Sequence, residues 1–274
     1  MVVITKIGIV TNKNRTDIQL FSELIINRLK AENIQVWLDS ESEYDPINSD
    51  MLIVLGGDGT LLRTFHKYGE MGIPFLGVNF GNVGFLSAIQ PDNFVNCLSS
   101  IVNKEFYLDE RTVLQVSLYK EKQKVTFSSY AFNDVVVKSV IPKISRQTLH
   151  IDGNFFSNYE GDGVICATST GSTAYSLSAG GSIIDPRLVA VVITPICSRA
   201  NMMNSIVISA EHTIEILCND IYPCSILTID GNEPISLVNQ DLIKIEKSPL
   251  RIKLVQFDQA RYFTLLQSKL LRVR

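Results

Sequence analysis

The stretch Met51-Leu-Ile-Val-Leu55 is a continuous apolar run, and Gly56-Gly57-Asp58-Gly59-Thr60 follows it directly. A short apolar run without polar alternation is typical of a strand buried on both faces, as in a parallel sheet. The glycines predict a tight turn, because they allow backbone conformations that other residues avoid. Thr60 then opens a helical stretch that extends to Tyr68. Strand, turn and helix together predict a βαβ unit.

Strand and helix signals alternate on both sides of this unit. Lys6–Thr11, Asn33–Leu38 and Ile73–Val78 have the composition of strands. Asp17–Lys30 carries apolar residues at helical spacing. This alternation predicts an N-terminal Rossmann-like α/β domain over residues 1–106.

The character of the sequence changes after about residue 106, where β-branched and aromatic residues are enriched and helical spacing is lost. We expect a β-rich, β-sandwich-like domain over residues 107–254. Asp230-Gly231 is among its turn signals. Residues 255–274 contain a helical apolar pattern, Arg261–Leu270, and are expected to pack back onto the first domain. The predicted fold class is therefore α/β followed by β.

Composition excludes several classes of protein. Of 274 residues, 46% are hydrophobic and 19% charged, and the net charge is −3, so no basic surplus favours binding to nucleic acid or to an anionic membrane. The run Leu188–Ile193 is too short to span a bilayer, and Lys6 interrupts the N-terminal apolar run, which argues against a signal peptide. We expect a cytoplasmic protein.

The cysteines and histidines do not form a metal or disulfide pattern. Five cysteines give an odd count without a C-x-x-C pair, which favours reduced, mostly buried thiols. The cysteines are Cys97, Cys166, Cys197, Cys218 and Cys224. The three histidines lack metal-binding spacing, so no protein metal site is predicted.

The run Leu55–Arg63, which contains the Gly-Gly-Asp-Gly-Thr sequence, carries the strongest chemical signal. Free amides at the start of the following helix form a ready phosphate site, and an aspartate held there can act as a general base or lie near a metal. The run is not a Walker A loop, because no Gly-Lys-Ser/Thr follows. The alternative is a tight βα turn in which Asp58 only caps the helix.

Two further segments follow predicted strands. Three glycines in Gly77-Val-Asn79-Phe-Gly81-Asn-Val-Gly84-Phe85-Leu86 predict a second loop whose backbone closely approaches another group, with Phe85 available to stack on a ring. Asn133-Asp134 could present an amide and a carboxylate to a polyol. The alternatives are a core phenylalanine and a plain turn.

The fourth segment is dense in hydroxyls and glycines. It comprises Gly161-Asp162-Gly163 and then residues 169–181, with the sequence Ser-Thr-Gly-Ser-Thr-Ala-Tyr-Ser-Leu-Ser-Ala-Gly-Gly. Hydroxyls suit phosphates and ribose, and Tyr175 offers a face for a base. Ala174, Leu177 and Ala179 alternate with the hydroxyls, which favours a half-buried segment that lines a ligand over a solvent loop.

These motifs resemble, in order, those of the NAD kinase family. The resemblance covers about residues 6–270 and includes Thr194-Pro195-Ile196-Cys197, Tyr262-Phe263 and Lys269-Leu270. The Gly-Gly-Asp-Gly-Thr sequence is shared with diacylglycerol, sphingosine and phosphofructokinase relatives. The segment Thr170–Gly181 looks like NAD kinase and little else.

The resemblance implies transfer of a phosphoryl group from ATP or polyphosphate, with Mg²⁺ or another divalent cation, to the 2′-hydroxyl of the adenosine ribose of NAD. It implies that Asp58 is the general base and that the β-rich domain binds NAD, which is a substrate. It also implies a homodimer or homotetramer. The implied substrate-binding residues are Asp58, Gly59, Arg63, Phe85, Asn133, Asp134, Asp162, Thr173, Ala174, Tyr175, Ser178 and Asn232. The implied ATP-phosphate residues are Gly57, Gly59 and Thr60.

The sequence departs from the family pattern at four places. Asp134 stands where the family usually has Glu, Glu160 where it often has Arg, and Asn232 where it often has Gln. Thr168-Ser169-Thr170-Gly171 replaces the usual Thr-Pro-Thr-Gly. Two other functions remain open at this point: a lipid or sugar kinase of the same superfamily, and a non-catalytic dinucleotide sensor.

Overall fold

The computed structural model describes residues 4–11, 15–39, 45–81, 84–120, 124–199, 204–219, 225–258 and 260–270. Cys224, part of the second glycine loop (residues 82–83) and Asp220 of a predicted turn lie outside these ranges. The chain divides into two compact units. Unit 1 is Met1–Glu110 with Ile252–Arg274, and unit 2 is Arg111–Arg251.

Unit 1 is built on a parallel sheet with the strand order β2-β1-β3-β4, and the end of β16 pairs with β4. Its elements are β1 Lys6–Thr11, α1 Thr16–Ala31, β2 Gln35–Leu38, β3 Met51–Leu55, α2 Asp58–Tyr68, a 3₁₀ turn Gly69–Met71, β4 Phe75–Val78, α3 Pro91–Val102 and α5 Arg261–Leu270. Strands β5 Tyr107–Lys120 and β16 Leu242–Gln256 run through both units.

The unit 1 core explains why β3 is apolar throughout. All five residues of β3 are buried, and Ile53 and Leu55 belong to one cluster with Ile25 of α1 and Phe94 of α3. Because β3 and β4 are parallel neighbours, the loops that follow them leave the same edge of the sheet, where α/β proteins bind ligands.

Unit 2 contains two sheets. One has the order β16-β13-β8-β9, with β5 pairing β16 and β6; the other has the order β12-β11-β10-β7-β14-β15. The remaining elements are β6 Lys124–Ala131, β7 Asp134–Ser139, β8 Ser145–Ile151, β9 Asn154–Gly161, β10 Gly163–Thr168, a 3₁₀ turn Gly171–Thr173, α4 Tyr175–Ser178, β11 Ala190–Ile196, β12 Ile206–Ser209, β13 Ile214–Asn219, β14 Ser225–Ile229 and β15 Ile235–Leu237.

The two sheets of unit 2 share one core. Val116 and Ile216 of the first sheet and Val137 and Val164 of the second belong to a single buried cluster. A second cluster, which includes Ile165 and Ile184, covers the other face of the second sheet. The predicted fold class, an α/β domain and a β-rich domain, is confirmed.

Two smaller expectations concern the thiols and the membrane. Cys97, Cys166, Cys197 and Cys218 are free; Cys166 and Cys218 are buried, whereas Cys197 is exposed. In the described part of the chain, no helix has the length and apolarity that crossing a bilayer requires.

Candidate active site

Asp58 lies in the first turn of α2, directly after the glycine turn that ends β3. Its carboxylate accepts two backbone hydrogen bonds from the loop after β4: Phe85 N–H donates to Oδ2 at 2.9 Å and Leu86 N–H to Oδ1 at 3.3 Å. The half-buried carboxylate is therefore held by a second loop, which a helix cap would not require. The helix N-terminus also favours negative charge at this position.

Glycine is required where the two loops approach each other. A methyl group at Gly84 would overlap the Asp58 carboxylate, and one at Gly77 would lie 2.9 Å from the Cα atom of Ser87. Gly77 lies within β4 and Gly84 in the loop that follows it, and both belong to the glycine-rich segment Gly77–Leu86. The close approach that their spacing predicted is thus made to Asp58 and to the loop itself.

The residues predicted to bind phosphate differ in exposure. Gly59 is exposed, Gly57 is half-buried and Thr60 is buried. Thr60 Oγ1 accepts a hydrogen bond from Arg63 Nη2 at 3.2 Å, so this hydroxyl makes a contact within the first turns of α2. Arg63 is exposed. The surface that this turn exposes is therefore formed by the backbone of Gly59 and the guanidinium group of Arg63.

Asn79, at the end of β4, has a buried polar atom that no described residue satisfies. Its Nδ2 donates to Gly81 O at 3.0 Å, whereas its Oδ1 is buried and has no hydrogen-bond partner in the described ranges. A methyl group at Gly57 would lie 3.8 Å from this oxygen. An unsatisfied buried acceptor is costly and marks a place where a donor or a cation is expected.

Unit 2 contains a pocket of about 460 Å³ that lies against the paired strands β7 and β14. Four of the predicted residues line it: Asn133, Asp134, Ala174 and Tyr175. Its other lining residues are Val136, Lys138, Ile226, Thr228, Asp230, Gly231 and Pro234. This size is typical of sites for small molecules, which combine apolar walls with a few polar groups.

Asp134 is the buried carboxyl group of this pocket, with 5% of its surface exposed. Burial and, to a lesser extent, the nearby charge of Asp230 raise the pKa of Asp134 from 3.8 to about 7. A raised pKa in a pocket is typical of functional sites.

Asp230 fixes the backbone that carries Asn133 and Asp134. Its carboxylate accepts hydrogen bonds from the backbone N–H groups of Phe132, Asn133 and Asp134 at 2.8, 2.7 and 2.9 Å. Asp230 N–H in turn donates to Asp134 O at 2.9 Å. The sequence analysis interpreted Asp230-Gly231 only as a turn. The φ angles of 52° and 71° confirm that turn, but the role of its carboxylate depends on pairing with a strand about 95 residues away.

Tyr175 presents its ring to the pocket and is 38% exposed. Lys138 Nζ lies 5.6 Å from the centre of this ring, at cation–π distance. Lys138 was not predicted as a site residue. It alternates with Val136 on β7 and offers no local motif, so only the strand pairing places it in the pocket.

Most hydroxyls of the segment after β10 hold the protein itself together. Thr168 Oγ1 donates to Phe132 O at 2.7 Å, Ser172 Oγ donates to Ser169 O at 2.7 Å, and Ser176 Oγ lies 2.8 Å from Thr194 Oγ1. All are buried. The high density of hydroxyl groups in this segment is therefore explained in part by hydrogen bonds within the protein, and not only by ligand binding.

The remaining predicted residues do not line the pocket among the residues that the structure describes. Asp162, Ser178 and Asn232 are exposed, and Thr173 is half-buried with Oγ1 donating to Thr170 O at 3.4 Å. Glu160, the reversed charge, is paired with Arg146 at 3.0 Å across β8 and β9. In unit 1, Phe85 is half-buried and its ring lies 5.9 Å from that of Tyr262.

These features define a class of protein. A carboxylate at a helix start beside a glycine turn suits the activation of a hydroxyl, and a pocket with an aromatic face and buried carboxyl suits a nucleoside. Together they indicate a phosphotransferase that acts on a nucleotide.

Comparison with known proteins specifies the family. Residues 11–106 match the ATP-NAD kinase N-terminal domain and residues 132–257 match the ATP-NAD kinase C-terminal domain. The chain is 33% identical to the NAD kinase of Ruminiclostridium cellulolyticum over 279 residues, which cover 97% of each chain.

Two solved structures are also similar. Yeast NADH kinase complexed with NADH has a TM-score of 0.88 at 25% identity and covers 100% of this chain and 89% of its own. The NAD kinase from Archaeoglobus fulgidus in complex with ATP has a TM-score of 0.78 at 28% identity, with 96% and 97% covered. The chain belongs to the NAD kinase family, whose members are phosphotransferases with an alcohol group as acceptor.

Proposed function

We propose that Asp58 is the general base in the transfer of the γ-phosphoryl group of ATP to the 2′-hydroxyl of the adenosine ribose of NAD. The observation that carries this assignment is the orientation of its carboxylate by the amides of Phe85 and Leu86. The 2′-oxygen attacks the γ-phosphorus while Asp58 takes the hydroxyl proton. The bond from the γ-phosphorus to the bridging oxygen breaks, and ADP and NADP leave.

The pocket of unit 2 is the proposed binding site for the dinucleotide. Tyr175 and Ala174, with Thr173 and Ser178 beside them, are assigned to the adenosine, and Asn133 and Asp134 to a ribose or the nicotinamide end. Asp162 and Asn232 are proposed as further contacts, and Phe85 and Gly59 of unit 1 are proposed to lie against the same substrate. The solved NADH complex of the yeast relative supports binding of a dinucleotide.

The donor phosphates are assigned to the turn at Gly57–Thr60, with Arg63 nearby. Free backbone amides at the start of α2 and the helix dipole support this assignment, as does the ATP complex of the Archaeoglobus relative. Polyphosphate is the alternative donor, and the same assay with each compound in turn distinguishes them.

A divalent cation fits the oxygen chemistry of this turn. Within the described residues, no group of three or more His, Cys, Asp or Glu side chains could hold a metal. Mg²⁺, however, commonly keeps its waters and binds through substrate phosphates and one or two oxygens of the protein. The unsatisfied Asn79 Oδ1 and the Asp58 carboxylate are the oxygens that would contact the ion or its waters. When bound, the cation neutralises charge on the donor phosphates.

A cytoplasmic location, as the sequence pattern leads us to expect, and a homodimer or homotetramer, as the family resemblance implies, are also part of this proposal. Light scattering on the purified protein gives the mass of the particle. A mass of 30.6 kDa, that of a single chain, would contradict the oligomer.

The test of the proposed function is production of NADP from NAD, ATP and Mg²⁺, detected with an NADP-specific dehydrogenase. We expect Asp58→Asn to keep the fold, with a somewhat lower melting temperature because its Nδ2 cannot accept one of the two amide hydrogen bonds, and to lose about 10²–10⁴-fold in kcat because it cannot accept the proton. Asp92→Asn, the same change at an exposed first-turn position of α3, is the matched control. A kcat for Asp58→Asn within about threefold of the wild type would show that Asp58 is not the base.

A further inference from the structure

The C-terminal helix α5 is anchored firmly within unit 1. Tyr107 OH donates to Asp258 O at 2.6 Å, and Asp258 Oδ1 accepts a hydrogen bond from Ala260 N–H at 2.9 Å, just before the helix begins at Arg261. The start of α5 is thus fixed by both backbone and side-chain contacts. Its first residue has a defined position as a result.

Arg261 contacts the loop that holds Asp58. Its Nε donates to Ser87 O at 3.0 Å, and Ser87 directly follows Phe85 and Leu86, whose amides bind the Asp58 carboxylate. Two other α5 residues hold the same loop through Phe85: the Tyr262 ring lies 5.9 Å away, and Lys269 Nζ lies 4.8 Å from the ring centre. The loop is therefore held by α5 at residues 85 and 87, on both sides of Leu86.

The guanidinium of Arg261 is poorly compensated where it lies. Its Nη2 is buried and has no hydrogen-bond partner in the described ranges. Burial lowers the pKa of Arg261, and electrostatic interactions with Asp258, Tyr107 and Asp58 act in the opposite direction. A neutral donor could hold Ser87 O without the cost of burying a charge, so the hydrogen bond alone does not explain why an arginine stands here.

We propose that Arg261 is a positioning residue for catalysis: it fixes the 85–87 loop, through which Asp58 is oriented, and its positive charge attracts the Asp58 carboxylate. This inference rests on the proposed role of Asp58. It assigns a catalytic contribution to the last helix of the chain, which the sequence analysis treated as packing.

Two substitutions separate the hydrogen bond from the charge. Arg261→Gln keeps a donor for Ser87 O and removes the charge, whereas Arg261→Lys keeps the charge and loses the planar fork. Arg28→Gln, the same change at an exposed position of α1, is the matched control. Each variant is assayed for kcat, for KM toward NAD and ATP, and for its melting temperature, beside Asp58→Asn.

We expect Arg261→Gln to lower kcat by about tenfold or more, with KM for NAD within about twofold of the wild type, because the uncharged side chain no longer attracts the Asp58 carboxylate, and a less firmly held base slows chemistry while NAD binding stays intact. Arg261→Lys should recover part of the lost kcat. Arg28→Gln should behave like the wild type.

A wild-type kcat in Arg261→Gln overturns the proposal. If Arg261→Gln melts at a markedly lower temperature, Arg261→Lys separates a positioning role from a structural one. Recovery of kcat in Arg261→Lys at an equally low melting temperature supports the positioning role. Equal loss of kcat in both variants shows a structural role only. If Asp58→Asn itself keeps its kcat, the assignment of the base fails. If only the Arg261 variants keep theirs, this inference alone fails.

Discussion

Asp58, which follows the buried strand β3 in unit 1, and Asp134, which begins strand β7 in unit 2, are held in opposite ways. Asp58 is half-buried, and its two carboxylate oxygens accept hydrogen bonds from backbone amides. Asp134 is buried, and it is the neighbouring Asp230 that takes the amides of this loop. The pKa of Asp134 is raised to about 7 by burial and by that neighbour.

This difference shows that a carboxylate at the end of a strand can be held in a fixed orientation for a reaction or buried where it contacts a substrate. A carboxylate with oriented oxygens is suited to accept a proton from a bound hydroxyl, whereas a buried carboxyl group that lines a pocket is suited to bind the substrate. Substitutions that displace or replace Asp58 should therefore reduce kcat, and substitutions of Asp134 should raise KM for NAD. Each prediction below tests one side of this comparison.

Apart from replacement of Asp58 itself, the largest effect is expected from Gly84→Ala. The added methyl group would overlap the Asp58 carboxylate, which is the end of a side chain and can move aside. The fold should survive while the base is displaced, and such a displacement costs about 10²-fold in rate. Steady-state kinetics and a thermal melt measure both quantities.

Gly81→Ala is the control for this change, since a methyl group there would meet no atom of the described residues within 4 Å, its chain neighbours aside. It should keep the wild-type kcat. Equal activity of the two variants would show that the position of the Asp58 carboxylate does not limit the reaction.

The next effect is on stability and concerns Asp134. In the unfolded chain this carboxyl ionises at its ordinary pKa of 3.8, whereas in the folded protein its pKa is about 7. Between these values the folded protein binds a proton that the unfolded chain does not, so the free energy of unfolding falls as the pH rises. Replacement by Asn removes this dependence.

We therefore expect the wild type to lose about 2–3 kcal/mol more stability than Asp134→Asn between about pH 5 and pH 8. Urea unfolding of both proteins at several pH values measures the difference, with Asp92→Asn as the exposed control. Parallel pH profiles for the wild type and Asp134→Asn would contradict the raised pKa.

Local patterns predicted much of unit 1 and less of unit 2. The apolar run Met51–Leu55 and the glycines after it are a local signal, and β3 has those bounds in the structure. The β-rich composition after residue 106 does not indicate where β6 ends and β7 begins, which is at Phe132-Asn133, where Asp230 holds the backbone. That partner is distant in sequence, so no pattern near residue 132 reveals it.

The candidate site divides in the same way. Asp58 follows from a contiguous motif, whereas Lys138 and Asp230 enter the pocket only through the pairing of β7 and β14. The helix α3 Pro91–Val102 was also missed, although Pro91 at its start is a recognised helix signal. Long-range pairing, which no local pattern specifies, accounts for most of what the sequence did not predict.

A smaller effect is expected when Asp134 is truncated. Asp134→Ala should raise KM for NAD by about tenfold with a smaller change in kcat, because it removes a contact and leaves the base in place. Asp134→Glu should be tolerated, since the NAD kinases that this sequence resembles usually carry Glu there. An unchanged KM in the Ala variant would remove Asp134 from the binding site.

The smallest effect is expected at Tyr175, which tests recognition without any carboxylate. Its ring lines the pocket and is 38% exposed, so it can cover one face of the adenine. Ring stacking contributes about 0.5–1.5 kcal/mol, and Tyr175→Ala should therefore weaken NAD binding by about 2- to 10-fold. Tyr175→Phe, which keeps the ring, should bind like the wild type, and Phe155→Ala, at an exposed aromatic outside the described pocket lining, should be neutral. Calorimetry with NAD measures all three Kd values, and an unchanged Kd in Tyr175→Ala would assign the aromatic face of this pocket to packing.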